Sequence, residues 1–151
     1  MPDSYSERHI KSTITAGSVY YFYEKSIDSP KPHRFIVLNI DPLKDTAVVL
    51  VCASSQVEYF KKLRSNCPNE TVIEITPLQY SGFTKNSIID CNDVIPKSIN
   101  EIAKMLSKGK LQEKPTMDIR LVRKLRQGVI LSPMVAKEIQ LLLREKKSSE
   151  G

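Results

Sequence analysis

The sequence predicts an α+β fold, mainly β, in which short strands come first and helices follow, the strands forming a small, strongly bent sheet or barrel. Three observations predict it. Between Ser18 and Cys91, short runs of β-branched, aromatic and aliphatic residues alternate with turns rich in Pro, Asn and Asp. Ser98-Ile99-Asn100-Glu101 has the form of a helix-opening capping box. Beyond Leu111, apolar residues recur at helical rather than alternating spacing.

Residues 1–16 are polar, lack a hydrophobic period and lead into Ala16-Gly17, so they are expected to form a flexible N-terminal arm. Val19 to Tyr23 and Phe35 to Leu38 are strands, separated by an exposed loop that carries Pro30 and Pro32. Asn39 to Asp45 is a turn, and Thr46 to Ala53 is an apolar run short enough for a buried strand, ending at Ser54-Ser55-Gln56. Val57 to Arg64 fits a short helix or a ragged strand. Thr71 to Ile75 and Ser87 to Cys91 complete the strands, and the helix opened by Ser98 is expected to stop before Gly109. Lys108 to Pro115 reads as a flexible joint. Two further helices are then expected, one capped by Thr116 and stopped at Gly128, the other opened by Ser132-Pro133 and carrying Val135, Ile139, Leu142 and Leu143 on one face.

The chain has 151 residues, enough for one core without disulfides or metal. Lys+Arg 23 against Asp+Glu 17 gives +6, a moderate lean towards polyanions that needs motifs to support it. Cys52, Cys67 and Cys91 are an odd number without C-x-x-C spacing, and only His9 and His33 could complete a metal set, so neither a structural zinc site nor a cofactor is expected. Free thiols in apolar runs and the absence of a stretch near the roughly 18 apolar residues needed to cross a bilayer lead to an expectation of a cytoplasmic protein.

A carboxylate pair, a Ser-His-Asp or Cys-His set, a glycine-rich phosphate loop and a metal cluster are not evident, with two His and five Gly in the chain. What remains are Arg34, following Lys31-Pro32-His33 at the start of one strand, and Ser54-Ser55-Gln56 at the end of the next. In an antiparallel meander those two ends share a rim, where a guanidinium and a hydroxyl could converge. Attack of a 2′-hydroxyl on its own phosphodiester needs a proton acceptor, a proton donor and a fixed positive charge, without a metal. Tyr59-Phe60-Lys61-Lys62-Leu63-Arg64 interleaves aromatics with bases, as stacking on single-stranded bases requires. The plainer alternative is a helix with Phe60 and Leu63 packed inward and a solvated basic face.

Gly17-Ser18-Val19-Tyr20-Tyr21-Phe22, His33-Arg34-Phe35-Ile36-Val37-Leu38, Val49 to Gln56 and Phe83 to Ile89 resemble, in order and spacing, the MazF/PemK-type endoribonuclease toxins. The resemblance covers residues 17–107 and leaves 108–151 as a helical, basic C-terminal extension. It implies a small SH3-like, CcdB/MazF-like β-barrel with a helix after the last strand. Its implied activity is metal-independent cleavage of single-stranded RNA, with 2′,3′-cyclic phosphate and 5′-hydroxyl ends, by a homodimer held in check by a cognate antitoxin. Carried over position by position, Arg34 would stabilise transition-state charge and Ser54 would assist proton transfer or hold the phosphate. His33, Ser55 and Gln56 are supporting candidates, and Lys31, Lys61, Lys62 and Arg64 are candidate RNA contacts. The chain departs from the family pattern at Arg34-Phe35, where Arg-Pro is common, and at Asp93-Val94-Ile95-Pro96. A gyrase-poisoning relative of CcdB type and a non-catalytic SH3-like binding module are the competing classes.

Overall fold

The computed structural model describes residues 5–27 and 29–145. The Met1 to Ser4 part of the expected arm and the end of the C-terminal extension lie outside the described residues. Six strands form one antiparallel sheet: β1 (Val19–Phe22), β2 (His33–Val37), β3 (Val48–Ser54), β4 (Val72–Ile75), β5 (Ser87–Lys97) and β6 (Leu111–Lys114), in the spatial order β4-β5-β3-β2-β1-β6. The helices are α1 (Tyr5–Thr13), α2 (Val57–Leu63), α3 (Ile99–Ser107), α4 (Ile119–Leu131) and α5 (Lys137–Leu143). The sheet does not close: β4 and β6 are its edges, so the α+β class holds and a closed barrel does not form.

Side chains alternate across a strand, and here both faces are covered. On one face Val19, Ile36, Leu38, Val49, Val51 and Ile89 pack against Val122, Leu125 and Val129 of α4 and Leu143 of α5. On the other, Tyr20, Phe22, Phe35, Val37, Val48 and Leu50 pack against Ile10 of α1 and Ile102 and Ala103 of α3. This is a helix–sheet–helix sandwich, which explains why the strands read as continuous apolar runs. No helix among the described residues is long and apolar enough to cross a membrane.

Several local expectations change in tertiary context. Residues 5–13 are helical rather than a loose arm, because Ile10 and Ile14, four apart on one face, are buried in the α3-side core. Residues 111–114 form edge strand β6 on β1, with Val19 opposite Lys114, rather than a flexible joint. Asp118, not Thr116, caps α4, accepting from Arg120 N at 2.7 Å. Gly128 does not stop α4, which runs through it to Leu131. Ser132 closes α4 instead of opening α5, which starts after Ala136. The capping box is present, with Ser98 Oγ accepting from Glu101 N at 3.0 Å and Glu101 Oε1 from Ser98 N at 2.8 Å. Residues 57–63 take the helical alternative.

Candidate functional site

Strand β5 positions the site by bending. Val51 of β3 faces Val94 and Ala53 faces Ile89, so the single residue Cys52 stands against the bulged segment Asp90 to Asp93. A buried polar network holds that shape. Asp90 Oδ1 accepts from Asn92 Nδ2 at 2.9 Å, Asn92 Nδ2 also reaches Thr71 Oγ1 at 2.9 Å, and Ser132 Oγ donates to Asn92 Oδ1 at 2.7 Å. Asp90 Oδ2 accepts from Arg64 Nε at 2.9 Å, tying α2 to the bulge. Each buried polar side chain of the network thereby has a hydrogen-bond partner.

Between this bulge, α2 and the β1–β2 loop lies a cleft of about 600 Å³, within the ~300–1,000 Å³ range of small-ligand sites. Ser26, Ile27, Ser29, Lys31 and His33 line it from the β1–β2 loop; Cys52, Ser54, Ser55 and Gln56 from the end of β3; Tyr59, Phe60, Leu63 and Arg64 from α2; Ile88, Asp90 and Asp93 from β5. The loop wall is braced by Glu24, whose Oε1 meets Lys97 Nζ at 2.6 Å.

The pairing of β2 with β3 places Arg34 opposite Ala53, and continuing that register by one residue sets His33 opposite Ser54. Both residues line the cleft, so the imidazole and the hydroxyl share its face. Ser54 is buried and its Oγ accepts from Gln56 N at 3.1 Å. Burial lowers the His33 pKa below its ordinary value, against the opposing effect of the Lys31 backbone, so the ring is held neutral and able to accept a proton. Asp93 is raised by the surrounding protein and then by the charge of Asp90, with Arg64 opposing. Burial pushes the Cys52 thiol up to about 12, and Asp93 and Asp90 add to it, so Cys52 is not a thiolate nucleophile.

The expected convergence of Arg34 with Ser54 does not occur. Both stand on the same rim, but a residue paired with Ala53 shares Ala53's face, and Ser54 points to the other one. Arg34 lies over the Tyr21 ring at 5.0 Å from its centroid, does not line the cleft, and has a buried Nε without a hydrogen-bond partner. A buried donor left unmade costs about 1–3 kcal/mol. Of the expected RNA contacts, Lys31 and Arg64 line the cleft, although Arg64 is committed to Asp90; Lys61 pairs with Glu74 at 3.1 Å, and neither Lys61 nor Lys62 faces the cleft. Sequence reasoning missed Asp90 and Asp93. Polar Asp-x-Asn-Asp inside an apolar strand was the available signal of a bulge. Among the described residues, no three His, Cys, Asp or Glu side chains gather to form a metal site.

Compared with known proteins, the chain matches no family model and no curated sequence.

Proposed function

We propose that the cleft binds single-stranded RNA and cleaves it by attack of a 2′-hydroxyl on the adjoining phosphodiester. The observation that carries this reading is one cleft lined by a neutral His33 and by Ser54, at the start of β2 and the end of β3, with Lys31 on one wall and Asp93 on the other. His33 accepts the 2′-hydroxyl proton as the 2′-oxygen bonds to phosphorus. Ser54 Oγ donates to a non-bridging oxygen, and Lys31 offsets the charge that develops there. The bond from phosphorus to the 5′-oxygen breaks, and the raised carboxyl of Asp93 protonates that oxygen, leaving a 2′,3′-cyclic phosphate and a 5′-hydroxyl. Exposed Tyr59 at the mouth of the cleft offers a ring on which a base can stack.

The resemblance to MazF/PemK toxins brings the same products, a homodimer and a cognate antitoxin into the proposal, and the sharp bend of β5 is what supports a distorted SH3-like kinship in an open sheet. A net charge of +6 suits an acidic antitoxin segment as well as RNA. A non-catalytic binding module is the second reading, favoured by the placement of Arg34 away from the cleft.

The test is incubation of the purified chain with mixed-sequence single-stranded RNA in excess EDTA, with cleavage ends mapped, beside His33→Gln and Ser54→Ala. Discrete cuts with 5′-hydroxyl ends, reduced about 10²–10⁴-fold in His33→Gln, are expected. The rate should rise with pH as His33 loses its proton and fall again as Asp93 loses its own, a bell-shaped profile, since the neutral ring and the protonated carboxyl are the active forms. Intact RNA bound by folded protein would establish the binding module.

A further inference from the structure

At the same end of the sheet, but on the face opposite the cleft, three cross-strand neighbours stand in a row. Tyr21 of β1 is paired with Arg34 of β2 on one side and with Gln112 of β6 on the other. Lys114, two residues further along β6 and so on the same face, reaches back over the Tyr21 ring to place its Nζ 5.1 Å from the centroid, donating to Gln112 Oε1 at 3.2 Å. One ring thus holds two cations, the other being Arg34 at 5.0 Å. No ion pair with a carboxylate is formed by Arg34 or Lys114 among the described residues, whereas Arg64, Lys97, Arg120, Arg123 and Arg126 all have one. Two like charges on one ring without a carboxylate partner raise the local potential, and the buried Arg34 Nε has no hydrogen-bond partner among the described residues. A ring face steers the two cations without neutralising them. The chemistry that completes such a site is an oxyanion, and a guanidinium and an ammonium flanking one ring suit the phosphates of a polyanionic strand.

We propose that Arg34, Tyr21 and Lys114 form a second phosphate-binding site, which grips the RNA backbone after the strand has passed over the rim from the His33–Ser54 face. This rests on the single-stranded RNA reading of the cleft. It makes Arg34 a residue that binds the substrate at a distance from the bond that is cut.

The experiment measures RNA affinity as a function of salt, together with KM and kcat, for the full chain and for Arg34→Ala, Arg34→Lys and Lys114→Gln. Loss of one phosphate contact lowers the slope of log affinity against log salt by about 0.7 on single strands, and Arg34→Ala and Lys114→Gln should each show this. KM should rise about fivefold or more in both, with kcat at saturating RNA falling by less, and Arg34→Lys should recover part of the affinity. Folding is checked by the unchanged amide spectrum, and Lys114→Gln, on an exposed edge strand, is the variant that keeps the test valid if Arg34→Ala does not fold. In parallel, ¹⁵N-labelled protein is titrated with inorganic pyrophosphate while the Arg34 Nε–H resonance is followed; a saturable shift, lost in Lys114→Gln, is expected. RNA binding and cleavage that are unaffected by all three variants overturn the site and leave the cleft reading intact. Collapse of kcat in Arg34→Ala at unchanged affinity overturns it in favour of a catalytic Arg34. Absence of any RNA binding, with the pyrophosphate shift present, overturns the RNA reading and supports the anion site.

Discussion

Replacing Gly128 by alanine should destabilise the protein, although alanine is the better helix former. In an exposed helix interior this change gains about 1 kcal/mol. At Gly128 an added Cβ would stand 2.7 Å from Glu70 O, 2.8 Å from Cys91 Sγ and 3.1 Å from Cys91 Cβ, and two of those partners are backbone or the root of a buried side chain. Overpacking of that kind costs about 1–3 kcal/mol, which outweighs the propensity gain by on the order of 1 kcal/mol. A chain of this size loses about 2–4 °C in Tm per kcal/mol. The assay is urea and thermal unfolding followed by far-ultraviolet circular dichroism, with Gly109 as the contrast. Gly109 has φ 71° and nothing near its added Cβ, so Gly109→Ala suffers left-handed backbone strain alone, and Gly109→Asn suffers less. At Gly128 the order reverses, because asparagine is larger than alanine. In a Cys91→Ala background the Sγ contact is gone and Gly128→Ala should cost less. A Gly128→Ala protein more stable than the parent would refute the close packing of α4 on β5.

Two further outcomes follow from buried polar groups. Asn39, fully buried, accepts from Val49 N at 2.6 Å and donates to Ala47 O at 2.9 Å and Asp45 Oδ2 at 2.8 Å, closing the β2–β3 turn. Asn39→Ala orphans the Val49 N–H and should cost about 1–3 kcal/mol, read as a shift in urea midpoint at constant m-value. The Glu24 carboxyl is raised by burial, but hydrogen bonds from Lys97 and Ser26 more than offset this and hold it below its ordinary value. A lowered carboxylate adds stability that is present above its unfolded pKa and lost as pH falls through the lowered folded value. Glu24→Gln should therefore be less stable than the parent at neutral pH and converge with it in acid; a gap that persists at pH 2–3 would show that the Glu24–Lys97 pair is not its source.

The sequence by itself located β1 to β4, the start of β5, the loop between β1 and β2 and the α3 cap, because runs such as Val48 to Ala53 and the Ser98–Glu101 box act over a few residues. It also found most of one wall of the cleft, Lys31, His33 and Ser54 to Gln56, as strand ends on a common rim. Elements with weak local signals were decided by what they touch. Residues 5–13 become helical against Ile102 and Ala103, Leu111-Gln112-Glu113-Lys114 becomes a strand because β1 has an open edge, and Gly128 lies inside α4 as the close-approach point to Cys91, where there is no room for a Cβ. The separation of Arg34 from Ser54 belongs to register. Nothing local to either residue states whether Arg34 faces Ala53 or Ser54; the Asn39 turn and the two packed faces set that, and a slip of one residue would exchange every side chain between them. Residue types and spacing could name the members of the rim, and only the tertiary structure divided them between a cleft on one face and a cationic cluster on the other.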